Sequence, residues 1–363
     1  MNVFTETSNI TKQLLDGVME QVTITDDEAF VNDNVTKVIR TRVTAEICST
    51  LVKLHSLKIL DNKLLIKKMT KWLIDNQNSN GSWNEAHINY NQPSTVFTSI
   101  CALSLLEVSE LFPEFNINKE IFHNAAKFIL DQEIDSGAYK KSEHVHADIL
   151  NVDAMAATFL LKFGSKSSTE NYTVAGKRAV EHICSQQFTN GAYPYSGPKR
   201  AYPYKYHFFI PCIHYQAVTL YYLIKSSLFI ESDSLQHSIL SGAKWLIKNQ
   251  NDDGYFQWKN SGLNFALYLS ATYAFVLPIY QSFLSDHTNA SKLMEKSLTT
   301  LKNQIFDDIL LRWEKGNLKS VIIGFFEAGR GGSIGEYPLV FKLMRTLHRL
   351  HREIARTKIS SHL

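Results

Sequence analysis

Two stretches of this sequence carry residue types whose spacing suits chemistry. The first is Glu143-His-Val-His-Ala-Asp-Ile-Leu-Asn-Val-Asp153, a loop that runs into an apolar helix. Imidazole and carboxylate both ligate zinc, so His144, His146 and Asp148 are a conceivable ligand set. Alternate residues of one loop converge on an ion only with help from elsewhere, however, and Cys212-Ile-His214 is too small a second set. No metal and no other cofactor is expected, and His144, His146, Asp148 and Asn151 are read as substrate-binding residues. Asp153 is different, because a carboxyl carried into an apolar helix is pushed toward its protonated form and can serve as a general acid. The plainer alternative is that Asp153 and Asn151 cap that helix.

The second stretch is Tyr193-Pro-Tyr195-Ser-Gly-Pro-Lys199-Arg200-Ala-Tyr202-Pro-Tyr204-Lys205-Tyr206-His207, which leads to His214-Tyr215-Gln216. Tyrosines stack on sugar rings or stabilise a carbocation through their π faces, and Lys199, Arg200 and Lys205 suit a carboxylate or a diphosphate. Tyr204, His207 and His214 are candidate acid/base groups. Tyr206, Tyr215 and Gln216 are candidate binding residues, as are Glu336 and Tyr337 beyond the glycine-rich Gly329–Ser333. That loop lacks the G-x-x-x-x-G-K-[ST] pattern of a phosphate cradle. Alternatively, the tyrosines simply pack the loop and keep their hydroxyls wet.

The elements that must position these residues follow from a repeat. A glutamine, a short spacer, a glycine and an aromatic recur as Gln77…Gly81-Ser-Trp83, Gln132…Gly137-Ala-Tyr139, Gln187…Gly191-Ala-Tyr193 and Gln250…Gly254-Tyr-Phe256, with a weaker start at Gln304. Each glutamine ends a segment with apolar residues at helical spacing, and the glycine closes it. A more apolar segment follows: roughly 96–106, 149–163, 213–224 and 265–283. Helices apolar on several faces are surrounded by protein, so these form an inner ring and the Gln-ending helices an outer one. With further helices near 10–22, 37–57 and 337–352, about six hairpins result. Closure into a ring removes the need for polar caps at the ends. The expected fold is all-α, an (α/α)6 toroid in one domain over 1–363. Asp252-Asp253-Gly254 is read as a turn within the repeat.

The repeat resembles the QW-type motif of squalene and terpenoid cyclases, and its period is similar to that of protein prenyltransferase β-subunits. The resemblance implies a structural role for Gln77, Trp83, Gln132, Tyr139, Gln187, Tyr193, Gln250 and Phe256. It also relates Asn151-Val-Asp153-Ala154 to the DxDD acid motif of proton-initiated cyclases, with only Asp153 kept. What it implies is a cyclase-like isomerase or lyase, protonating an isoprenoid in a central cavity. No Asp/Cys/His set matches the zinc site of prenyltransferases. Two other readings stay open, since one fold hosts many functions. One is a lyase, hydrolase or epimerase acting on an acidic sugar through Tyr204, Tyr206, His207 or His214; the other is a non-catalytic ligand-binding toroid. An apolar, dry cavity favours the isoprenoid and a polar one the sugar.

Composition bounds the remaining choices. At 363 residues, 44% hydrophobic and 20% charged, the chain can bury a large core. A net charge of +3 gives no reason to expect nucleic acid. The basic segment 345–358 reads as a solvated helix face rather than a membrane contact. Cys48, Cys101, Cys184 and Cys212 form no CxxC and sit in apolar helical patterns, so they are read as buried free thiols. With no signal-like first residues and no apolar run of membrane length, a cytoplasmic location is expected. The expected partner is a small molecule or oligosaccharide in the cavity.

Overall fold

The computed structural model describes residues 19, 21–32, 38–87, 90–143, 145, 147–197, 211–252, 254 and 256, and then 272, 275, 276, 278–280, 292, 293, 295–297 and 299. Eight helices are complete among them: α1 (Thr41–Ser56), α2 (Lys63–Asp75), α3 (Thr95–Leu111), α4 (Lys119–Asp131), α5 (Leu150–Ser167), α6 (Glu170–Ser185), α7 (Ile213–Ser227) and α8 (Asp233–Lys248). The alternation expected from the sequence is present. α1 packs on α3, α3 on α5 and α5 on α7 as successive inner helices, while α6 and α8 meet in the outer layer.

The two layers differ in composition as their positions demand. In α5 every residue from Leu150 to Leu161 is buried, because the helix is covered on all sides. Outer helix α4 buries only Phe122, Ala125, Ala126, Phe128 and Ile129, an i, i+3, i+4, i+7 stripe, and turns its lysines outward. Helix α1 begins at Thr41 rather than 37, since Ile39 pairs with Asn32 and the Arg40 amide donates to Val31 O in extended chain.

The repeat glycine shows why it cannot be replaced. Gly191 has φ +89°, and a Cβ there would lie 2.2 Å from the Ser241 carbonyl oxygen of the next outer helix. The site therefore needs both a left-handed backbone and close approach to a neighbour. Gly81 meets Asn124 of α4 in the same way. The glutamine is the second half of the device. Gln187 Nε2 donates to Gly191 O (3.0 Å), closing its own loop, and to Ser238 O (2.8 Å) on α8. Gln77 likewise reaches Gly81 O and Ile121 O on α4, both at 2.9 Å. Each glutamine thus ties one outer helix to the next. Gln132 departs from this, bonding only Phe128 O of its own helix. Its loop is one residue longer, and Glu133 takes over, accepting from the Gly137 amide (2.8 Å) and from Arg178 of α6 (2.8 Å).

Three short antiparallel ribbons were not foreseen: β1 (Val22–Ile24) with β2 (Ala29–Val31), β3 (Trp83–His87) with β4 (Tyr90–Ser94), and β5 (Glu133–Asp135) with β6 (Ala138–Tyr139). The last two lie in outer-to-inner connections, and their polar segments show no sustained alternation. Cys48, Cys101 and Cys212 are buried free thiols as expected, and Cys184 is a half-buried one. Burial pushes the Cys48 thiol up to about 12, so it is inert packing rather than a nucleophile. Among the described residues no helix is long and apolar enough to cross a membrane. The expected helix near 337–352 and the basic segment 345–358 lie outside the described residues, and of the expected helix near 10–22 only the helical Met19, the turn residue Gln21 and Val22 are described, Val22 opening β1 rather than ending a helix.

Candidate functional site

The loops that enter the inner helices are joined side to side into a collar. Thr95 N and Oγ1, at the start of α3, donate to Lys141 O and Lys140 O. At the start of α5, Leu150 N donates to Tyr195 O, and both Ser196 Oγ (2.6 Å) and Gly197 N (3.0 Å) donate to Asp148 O. Pro194 and Pro211 pair in an isolated bridge, so the tyrosine-rich loop leaves and re-enters the collar at one place, next to α7. Of that loop's candidates, Lys199, Arg200, Tyr204, Lys205, Tyr206 and His207 lie outside the described residues, as do His144, His146, Glu336 and Tyr337.

One role recurs at the fourth residue of three inner helices. Trp83 N donates to Thr98 Oγ1 (3.0 Å), Tyr139 N to Asp153 Oδ1 (2.7 Å) and Tyr193 N to Gln216 Oε1 (2.7 Å). An acceptor at this position holds the backbone of the repeat aromatic and so fixes each outer-to-inner connection. Asp153 is fully buried and latches Tyr139 toward the outer layer, burial and then Asp148 push its carboxyl well above the usual carboxylate range, and it is not the helix cap, since the cap residue of α5 is Ile149. Gln216 is also tied into the scaffold, its Nε2 donating to Gly191 O and Gly242 O. Asp148 is buried too, both carboxylate oxygens lying 3.1 Å from His182 Nε2 of α6. Asn151 Oδ1 is buried with no hydrogen-bond partner among the described residues. Different loop lengths hide the shared fourth position in the sequence, and nothing in the amphipathic pattern of α6 marks His182.

The half-exposed side chains of otherwise buried inner helices mark the lumen. On α1 these include Glu46, Ser49 and Thr50, and the exposed Lys53 continues the stripe at helical spacing. Arg42 pairs with Glu46 at 3.2 Å. Glu107 of α3 receives a short hydrogen bond from Ser49 and faces Lys53 (4.0 Å) and Lys225 of α7 (3.6 Å). Because α3 and α7 are separated by α5, the Glu107–Lys225 contact reaches across the lumen and forms an ionic floor among the described inner helices near their C-termini. Burial pushes the Glu107 carboxyl up, but Lys53, Lys225, Ser49 and Lys162 outweigh it and hold it below the usual carboxylate range. Lys225 also stands over the rings of Tyr221 (5.1 Å) and Tyr222 (5.9 Å).

Aromatic rings climb the wall from this floor to the collar. Tyr221 meets Phe275 at 5.2 Å, Phe275 meets His214 at 6.2 Å, His214 meets Tyr215 at 5.1 Å and Tyr215 meets Tyr195 at 4.3 Å between centroids. His214 Nδ1 lies 3.1 Å from Thr272 Oγ1, which orients the ring. The second stretch read from the sequence thus does place His214, Tyr215 and Tyr195 together.

No family model and no curated protein matches the chain in sequence. Its structure is similar to that of a reducing-end-xylose releasing exo-oligoxylanase complexed with xylose, with 12% identity and a TM-score of 0.54, covering 82% of this chain and 93% of that one. It is also similar to Rex8A from Paenibacillus barcinonensis, with 9% identity, a TM-score of 0.58 and 82% and 88% covered. A sugar epimerase from a ruminal bacterium gives 9% identity, a TM-score of 0.64 and 84% and 87% covered. The fold is an (α/α)6 toroid, as the repeat implied. The resemblance to terpenoid cyclases and prenyltransferases is corrected by these neighbours, which are carbohydrate enzymes. The reason is physical. Gln, Gly and aromatic are the fasteners of a helical-hairpin ring, so their recurrence reports the architecture and not the chemistry inside it.

Proposed function

We propose that this protein is a carbohydrate-active enzyme that carries out proton-transfer chemistry on a sugar held at the collar end of the lumen. The observation that carries this reading is the lining. Glu46, Ser49, Glu107, Lys225 and Tyr221 give a charged and hydroxylated lumen, which suits a polyol and disfavours an isoprenoid cation that needs a dry apolar container. The Tyr195–Tyr215 pair supplies flat, partly exposed rings of the kind on which a pyranose face packs. His214, oriented by Thr272 beside that pair, is the acid/base group, since imidazole exchanges a proton near neutral pH. By residue type, Tyr204, Tyr206 and His207 stay further stacking and acid/base candidates, and Lys199, Arg200 and Lys205 candidates for a substrate carboxylate, all six outside the described residues. The likeness to an exo-oligoxylanase and a sugar epimerase supports the substrate class but does not choose between hydrolysis, elimination and epimerisation.

A panel of neutral and acidic oligosaccharides, followed by thermal shift and by product analysis for cleavage, unsaturation or epimers, tests this. A saccharide that raises the midpoint and is turned over is expected, because a native-state ligand stabilises by mass action. His214→Gln is expected to lower kcat by about 100-fold or more with binding retained. Tyr215→Ala is expected to raise KM instead. A panel in which no saccharide binds, or a His214→Gln enzyme with unchanged turnover, removes the proposal. Binding without turnover would make the protein a sugar-holding toroid.

A further inference from the structure

A buried group of three side chains lies away from the lumen, between the start of α5, the collar and outer helix α6. Asp148, Asp153 and His182 each bring one ligand-type atom to within 4.8 Å of the others. Two independent features make this more than a chance cluster. The equivalent positions Thr98 and Gln216 perform the same latch with a neutral hydroxyl or amide. A carboxylate at Asp153 is therefore more than the scaffold requires. Moreover, only Oδ1 of Asp153 is used by the latch. Oδ2 is buried and takes no hydrogen bond from any described donor, on a side chain that offers an oxygen to the cluster. Burial, and after it the neighbouring Asp148 carboxylate, push the Asp153 carboxyl well above the usual carboxylate range, so its ionised form stands there only with a compensating cation.

The surroundings hold the three groups in place. The Asp148 backbone is clamped by Ser196 and Gly197, and position 197 has no room for a side chain: a Cβ there would lie 1.8 Å from Asp148 Oδ2. His182 is fixed along the outer helix, with Nε2 3.1 Å from the Asp148 oxygens. Ligands shared by one zinc-type ion at about 2.0–2.2 Å stand roughly 3–4 Å apart, within small side-chain rotations of this arrangement. Two carboxylates and a neutral imidazole also balance the charge of a divalent ion.

We propose that Asp148, Asp153 and His182 form a structural site for a divalent transition ion of the zinc type, which ties the inner helix, the collar and the outer helix together. The competing arrangement is a proton shared by the Asp148 and Asp153 carboxyls, and the two differ in what they bind.

The test uses the full chain purified without chelators, titrated with Co2+ and followed by visible absorption, with Zn2+ competition and thermal unfolding in parallel. Saturable binding of one Co2+, displaced by Zn2+ and accompanied by a higher unfolding midpoint, is expected. Asp153→Asn keeps an acceptor for Tyr139 and should fold, yet weaken metal binding by more than about tenfold, as losing a ligand exceeds the effect of disturbing an outer shell. His182→Gln, on the partly exposed outer helix, is expected to do the same and serves if Asp153→Asn does not fold. Absence of saturable binding in the wild type, or binding untouched by both variants, overturns the site in favour of the shared proton. Neither outcome bears on saccharide turnover, so this test stands apart from that of the lumen.

Discussion

Gly191 concentrates the logic of the repeat in one residue. A left-handed backbone costs an L-residue about 1–2 kcal/mol, and a methyl group would press on the Ser241 carbonyl oxygen as well. Gly191→Ala is therefore expected to lower stability by at least about 2 kcal/mol, measured by urea unfolding. The same change at Gly176 needs no left-handed backbone, and its Cβ would lie 2.6 Å from Leu161 Cγ rather than 2.2 Å from a carbonyl oxygen, so it is expected to cost less. Residues of this kind were legible in the sequence because a glycine with a positive φ recurs in register with its glutamine and aromatic. The roles of Asp153 and Gln216 were not. Each looks like chemistry in its own context, Asp153 beside histidines and Gln216 beside His214 and Tyr215. Only the shared hydrogen bond to a repeat aromatic, made across loops of unequal length, shows that both are fasteners. His214 and Tyr215 were read as site residues, and their neighbours Phe275 and Tyr221 escaped notice as ordinary apolar helix.

At the scale of elements, the outer helices are linked in two different ways. Gln187 donates to two backbone carbonyls and accepts from Ser238 Oγ (2.8 Å), so Gln187→Ala removes three bonds between α6, its loop and α8. At about 1 kcal/mol net for each, the expected loss is roughly 2–3 kcal/mol. Gln132→Ala removes one bond within α4 and is expected to cost about 1 kcal/mol or less. Equal losses in denaturant titrations of the two variants would show that the inter-helix tie is not what stabilises. The order of outer and inner helices was readable from apolar content, because burial on all sides forces an inner helix to shed its polar face. The β ribbons were not readable, since they are held by lateral pairing within the collar, which a linear pattern does not record.

For the molecule as a whole, the ionic floor couples three inner helices at once. Glu107 is held below the ordinary carboxylate range by its lysines despite burial, which pushes the other way. A folded-state value below the unfolded one, about 4.3 for glutamate, means that stability is present above that pH and is lost as pH falls through the folded value. The acid limb of the stability profile should therefore become shallower in Glu107→Gln. At neutral pH the same variant leaves Lys225 and Lys53 facing a neutral amide, with an expected cost of about 2 kcal/mol or more. Identical acid limbs in variant and wild type would remove Glu107 as the group responsible. Ring closure itself was legible from the repeat, whereas the floor was not, because Ser49, Glu107 and Lys225 are far apart in sequence and each reads as a surface residue of its own helix.

A floor of this kind also sets a condition on entry. Where Glu107 and Lys225 meet across the axis, the described inner helices bring opposite charges together inside the ring, so a ligand that reaches this depth must part an ion pair or replace it with polar groups of its own.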